Sequence, residues 1–158
     1  MKTLYLLRHA DAERRHDIED INRPITSLGI SQLVELTKKA SDKNIKLDSV
    51  LCSPAKRTLQ TCQLFLEGGL FENQITIDNL LYNPLLDNII ASLRNIDNKN
   101  NQILLVSHNP TISEFTNFLV GLFEPQVSFG TANLAKLELD IASWQEISEG
   151  CAKTIWFI

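Results

Sequence analysis

Two histidines in this chain stand where short apolar runs stop. Arg8 and His9 follow Thr3 to Leu7, and Ser107, His108 and Asn109 follow Ile103 to Val106. A third run, Ser49 to Cys52, leads into Ser53, with Arg57 four residues further on. A neutral imidazole with one nitrogen free and the other proton held by a partner is a good nucleophile towards phosphorus. Guanidinium forks match the oxygens of a tetrahedral anion. Phosphoryl transfer requires little more than in-line positioning and stabilised charge on the equatorial oxygens. The chemistry these residues suggest has two steps. His9 takes a phosphoryl group and becomes phosphohistidine, and water then removes it. Arg8, Arg57 and a proton-donating His108 steady the charge. Singly, each residue has a plainer explanation: a structural histidine, a surface arginine, a serine that caps a helix. Convergence is what argues for chemistry.

Convergence depends on the elements. The three runs, with Gln74 to Ile77, read as strands rich in Leu, Val and Ile. Between them, apolar residues recur at helical spacing. The series are Ile30, Leu33, Val34, Thr37 and Ala40; Leu59, Cys62, Phe65 and Leu66; Leu86, Ile89, Ile90 and Leu93; and Ile112, Phe115, Leu119 and Leu122. Thr26 is the expected cap of the first helix, and Gly68 and Gly69 stop the second. Ser53-Pro54 and Asn109-Pro110 read as caps followed by proline at the first helical position, with a Thr111–Glu114 capping box as the alternative for the latter. After Gly130 the pattern alternates around Leu134 to Leu139 and ends in Thr154 to Ile158, as strands joined without helices do. The expected fold is a single α/β domain over residues 1–158, a three-layer α/β/α sandwich on a mostly parallel, mixed sheet. The carboxyl ends of parallel strands share one edge, where ligands bind in such sheets.

The bulk numbers narrow the partners. Fifteen Lys and Arg against nineteen Asp and Glu give a net charge of −4, a poor basis for holding nucleic acid. No apolar stretch approaches the roughly 20 residues of a membrane span. Cys52, Cys62 and Cys151 are odd in number and lack metal-type spacing, so free thiols in the cytoplasm are expected. No cofactor is called for. A zinc site from His9, His108 and a carboxylate is disfavoured by the nearby arginines. His16 lies in the charged segment Glu13 to Asp20, which reads as solvated.

These motifs resemble the histidine phosphatase superfamily, the phosphoglycerate-mutase-like enzymes. Leu7-Arg-His-Ala10 resembles its Arg-His-Gly signature, Ser53-Pro-Ala-Lys-Arg57 with Gln60-Thr61 its Ser-Pro-x-x-Arg-x-x-Gln-Thr stretch, and Val106-Ser-His108 its second-histidine strand end. Arg23-Pro-Ile-Thr26 followed by Gly29 is similar to the Arg-Pro-Leu-Thr-x-x-Gly pattern of the short SixA-type phosphohistidine phosphatases, which lack a large insertion. The resemblance implies that His9 is the phosphorylated nucleophile and that Arg8, Arg57 and His108 complete the phosphate pocket, with Arg23 as a further contact. Asn109, delivered by the same strand end as His108, is expected to bind the phosphate as well.

Three departures stand out. Ala10 replaces the usual glycine, and Ser107 precedes the second histidine where glycine is common. Longer relatives carry a general-acid glutamate after the third strand, where this chain reads Asn79-Leu-Leu-Tyr-Asn-Pro84, with Tyr82 at the place of the acid. An alkoxide leaving group needs a proton, and a positioned acid contributes roughly 10²–10⁴-fold. Phosphohistidine leaves as imidazole, whose conjugate acid has a pKa of about 6.5, and depends on an acid far less. Asp11 and Glu13 remain candidate acids at the rim. The expected substrate is phosphohistidine on a partner protein, such as a histidine phosphotransfer domain, attacked by a monomer without a metal. The alternatives are a phosphatase of small phosphate esters or anhydrides and a phosphate-binding module without turnover.

Overall fold

The computed structural model describes residues 1–69, 71–121 and 125–158. Strands β1 (Lys2–Arg8), β2 (Ser49–Cys52), β3 (Ile75–Ile77), β4 (Gln102–Ser107), β5 (Leu134–Leu139) and β6 (Ala152–Phe157) form one sheet in the order β3-β2-β4-β1-β5-β6. The first four are mutually parallel, and β5 is antiparallel to both of its neighbours, β1 and β6. Helices α1 (Ser27–Ala40), α2 (Lys56–Gly68), α3 (Leu86–Arg94) and α4 (Thr111–Val120) connect the strands up to β5. The expected mixed three-layer α/β sandwich is the observed one. Leu122, assigned to the fourth helix from spacing, lies outside the described residues.

The continuous apolar runs follow from burial on both faces. In β1, Leu4 and Leu6 enter the core under α3 and α4, whereas Tyr5 and Leu7 enter the core under α1 and α2. In β4, Ile103 and Leu105 alternate likewise with Leu104 and Val106. Burying each such side chain stabilises the fold by roughly 1.5–3 kcal/mol relative to exposure. The sheet is therefore a rigid base for whatever its strand ends carry. No helix among the described residues is long and apolar enough to cross a membrane.

Two local expectations change. Helix α1 is capped by Thr26, whose hydroxyl accepts from the Gly29 N–H at 3.1 Å, as expected. Its buried face, however, is Gly29, Leu33, Leu36 and Ala40, while Ile30 and Val34 are about half exposed. Close approach to the loop after β1 rotates the helix: a Cβ on Gly29 would stand 2.4 Å from the Asp11 carbonyl oxygen. The second change concerns the proline caps. Helix α2 starts at Lys56 and α4 at Thr111, each without a side-chain cap. Ser53 and Asn109 are engaged elsewhere, and Thr111 donates its hydroxyl to the Pro84 carbonyl instead of forming a capping box.

Candidate active site

Strand register brings the motif residues together. Arg8 is level with Ser107 on β4, and Cys52 on β2 is level with Val106. The residues that follow share one edge, with β4 between β2 and β1. The end of β1 is fixed by its backbone: the His9 N–H donates to the Ser107 carbonyl, and the His9 carbonyl accepts from Ala132. The segment after β1 returns at its base through an Ala12–Ile25 bridge and a Glu13 N–H bond to the Pro24 carbonyl. That closure swings Asp20 and Arg23 over the strand ends. The resulting cleft of about 450 Å³ is lined by Arg8, His9, Asp11, Arg14, Asp20, Arg23, Arg57, His108 and Asn109, among others.

His9 Nδ1 lies 2.8 Å from the Ala10 carbonyl oxygen, which can only accept. The ring hydrogen is therefore on Nδ1, and the lone pair is on Nε2. The imidazole rings of His9 and His108 are 5.4 Å apart. His108 Nε2 pairs with Ser53 Oγ at 2.7 Å. Ser53 Oγ also accepts, weakly, from the Ala55 N–H at 3.5 Å and keeps a second lone pair, so it can pair with either tautomer of His108; when the serine donates, the ring hydrogen is on Nδ1. The serine that resembles a helix cap is the partner of a buried histidine.

Three buried side-chain nitrogens among the described residues lack any partner: Arg8 Nε, Arg57 Nε and His108 Nδ1. All three belong to residues that line this cleft. A buried donor left unpaired costs about 1–3 kcal/mol, so such groups mark a place built for a ligand. The two guanidinium nitrogens are donors, and His108 Nδ1 is one when Ser53 donates to Nε2, which fits an oxyanion. Arg8 is otherwise held by the Phe129 carbonyl at 2.8 Å, and Asn109 donates to the same oxygen at 2.7 Å while accepting from Ser113.

Asp20 is the residue the sequence reading missed. Its Oδ2 accepts from Arg57 Nη2 at 3.1 Å and from the Tyr82 hydroxyl at 2.8 Å. Its Oδ1 accepts from Arg23 Nε and Nη2, and its backbone carbonyl accepts from Arg57 Nη1 at 2.7 Å. Asp20 therefore grips the Nη end of the buried Arg57 and leaves the Nε side unpaired. The nearest hint in the sequence is a carboxylate three residues before Arg23, inside a segment that reads as solvated. Asp11 lines the cleft, but its carboxylate accepts from the Thr26 hydroxyl at 2.7 Å. Glu13 contributes its backbone carbonyl to Arg23, and its side chain is not part of the lining.

Burial pushes the His9 imidazole down to about 4; the Ala10 carbonyl opposes this, and the charges of Arg57 and Arg8 reinforce it. Burial, then Arg57 and His9, push His108 down to about 3. Burial would raise Asp20, but the Tyr82 and Arg23 hydrogen bonds and the Arg57 charge overcome it and hold the carboxylate at about 2. Near pH 7 both rings are neutral and Asp20 is ionised. NMR titration of the two imidazoles should give midpoints well below the ordinary 6.5. Midpoints near 6.5 would mean that these rings are not shielded from water. Unfolding restores the ordinary affinity for protons, so stability should fall as pH drops from about 6.5 towards 4.

Among the described residues, no three His, Cys, Asp or Glu side chains are grouped to hold a metal ion. Residues 4–81 match the family described as the histidine phosphatase superfamily, branch 1. Over 159 aligned positions the chain is 24% identical to an uncharacterized protein of Mycobacterium tuberculosis, covering 96% of this chain and 98% of that one. It superposes with a TM-score of 0.83 and 25% identity on a candidate phosphohistidine phosphatase SixA from Nakamurella multipartitia, over 99% of this chain and 95% of that one. The protein histidine phosphatase SixA complexed with tungstate gives the same TM-score at 21% identity, over 99% and 96% of the two chains. With the motif-bearing first half matched by the family and the whole fold shared with these SixA structures, the chain belongs to the histidine phosphatase superfamily.

Proposed function

We propose that this phosphatase hydrolyses phosphohistidine on a partner protein, through a phosphohistidine intermediate on His9. The observation that carries the reading is the set of three unpaired nitrogens, Arg8 Nε, Arg57 Nε and His108 Nδ1, on residues that line the same cleft as His9. In the first step the His9 Nε2 lone pair attacks phosphorus. The Nε2–P bond forms as the substrate N–P bond breaks, and the leaving imidazole takes a proton from solvent. In the second step water attacks, the His9–P bond breaks, and inorganic phosphate departs with the water's oxygen. Donors from Arg8, Arg57 and His108 hold the equatorial oxygens throughout. Arg23 adds charge at the rim, and Asn109 steadies the Phe129 carbonyl that holds Arg8.

Substrate class follows from acid strength. Asp20, the carboxyl that pairs with Arg57 and Arg23, is held ionised, and the Tyr82 hydroxyl is bonded to it. Neither is a ready proton donor for an alkoxide. An exchange between two imidazoles needs no such donor, because the substrate's leaving imidazole has a conjugate acid with a pKa of about 6.5 and His9, held at about 4, leaves more readily still. Turnover of a phosphohistidine peptide should exceed that of alkyl phosphate esters by roughly 10²-fold or more, the contribution of a positioned acid. Equal turnover would favour the small-ester reading, and no turnover of either would favour a binding module. We also read the reaction as metal-independent, carried out by a cytoplasmic monomer. Activity should survive exhaustive chelation, and its loss with recovery on adding zinc would revive a metal site.

A further inference from the structure

The phosphate cleft has a neighbour. A second cleft of about 500 Å³, lined by Arg14, Arg15, His16, Ile18, Asp20 and Arg23, opens beside it, and Arg14, Asp20 and Arg23 line both. Its cations are not equally committed. Arg15 is bonded to Asp17 through Nε and Nη2. Arg23 is held by Asp20 and the Glu13 carbonyl. Arg14 makes no hydrogen bond or ion pair among the described residues. It stands close enough to Arg8 that its charge, after burial, lowers the Arg8 guanidinium. In a chain of net charge −4 many carboxylates could have neutralised it. An exposed, unpaired arginine that lines both clefts repels its neighbour Arg8.

We infer that the second cleft is a subsite for a further anionic group of the substrate, held by Arg14 and carried next to the phosphoryl group. On the proposed function, on which this inference rests, that group is an acidic side chain flanking the phosphohistidine of the partner protein. The shared chemistry, a carboxylate or second phosphate near the first phosphoryl, would also suit a small molecule. Arg14 is exposed, so the attraction is screened within about 8 Å at physiological salt and should weaken as salt rises.

The test is a ratio. Two phosphohistidine peptides, identical except for glutamate or glutamine beside the phosphohistidine, are turned over by the full chain and by its Arg14→Gln and Arg14→Lys variants. The expected wild-type kcat/KM favours the glutamate peptide roughly two- to fivefold at low salt, the scale of an exposed ion pair. Arg14→Gln should bring the ratio close to one, through KM, and Arg14→Lys should keep most of it. A wild-type ratio of one, or a ratio unmoved by Arg14→Gln, overturns the subsite. If neither peptide is turned over, the phosphohistidine reading fails separately, and the ratio is measured with phenyl phosphate and carboxyphenyl phosphate. A ratio that depends on Arg14 there assigns the subsite to small-molecule substrates, and one that does not overturns it.

Discussion

His9→Ala loses turnover of a phosphohistidine peptide by at least roughly 10⁴-fold, the scale on which removing an activated nucleophile acts. The size follows from what the side chain supplies. Nε2 carries the free lone pair because the Ala10 carbonyl fixes the hydrogen on Nδ1. A ring titrating at about 4 is almost wholly nucleophilic at neutral pH. The other imidazole lining this cleft is not free in the same way: His108 Nε2 is committed to Ser53. The variant should fold, since the backbone bonds that pin this position, to Ser107 and Ala132, do not involve the ring. Turnover measured with a thermal melt separates lost chemistry from lost structure. A folded variant with normal turnover would remove His9 from the mechanism.

Arg57→Ala should cost about 2.7–4 kcal/mol of transition-state stabilisation, or roughly 10²–10³ in kcat, as removing one preorganised oxyanion donor does. Arg57 is 3% exposed, and its Nε has no protein partner. Its Nη end is held by Asp20 through both the carboxylate and the backbone carbonyl. The donor is therefore aimed before substrate arrives and loses little entropy in the reaction. Arg57→Lys should rescue poorly, because an ammonium supplies the charge without the rigid fork that spans Asp20 and the phosphoryl oxygens. Steady-state kcat for the three forms checks this. Activity near wild type in Arg57→Ala would take this arginine out of the cradle.

Much of the site's framework is legible in the chain because it depends on local rules. Buried parallel strands must be apolar on both faces, so β1 and β4 stand out as unbroken runs whose first polar residues lie at the strand ends. The Thr26 cap and the Gly68–Gly69 stop are equally local. Asp20 has no such marking. It sits in a loop with no periodicity to read, and only the Ala12–Ile25 closure carries it onto Arg57. Ser53 and Asn109 were misread as caps because a serine or asparagine before proline suits a helix start. The stronger demands here are a partner for a buried imidazole and a second donor to the Phe129 carbonyl. The exposed Ile30 and Val34 have a similar cause. Helical spacing fits two adjacent stripes on α1, and the close approach of Gly29 to Asp11 selects which one meets the sheet.

The most direct measurement is to quench the reaction in alkali, where a phosphoramidate survives, and map the phosphate on the protein by mass spectrometry. The account predicts a transient, acid-labile phosphoryl group on His9, absent from His9→Ala and longer-lived in Arg57→Ala. Phosphate on another residue during turnover, or phosphate release with no phosphoenzyme at any time resolved, would contradict it.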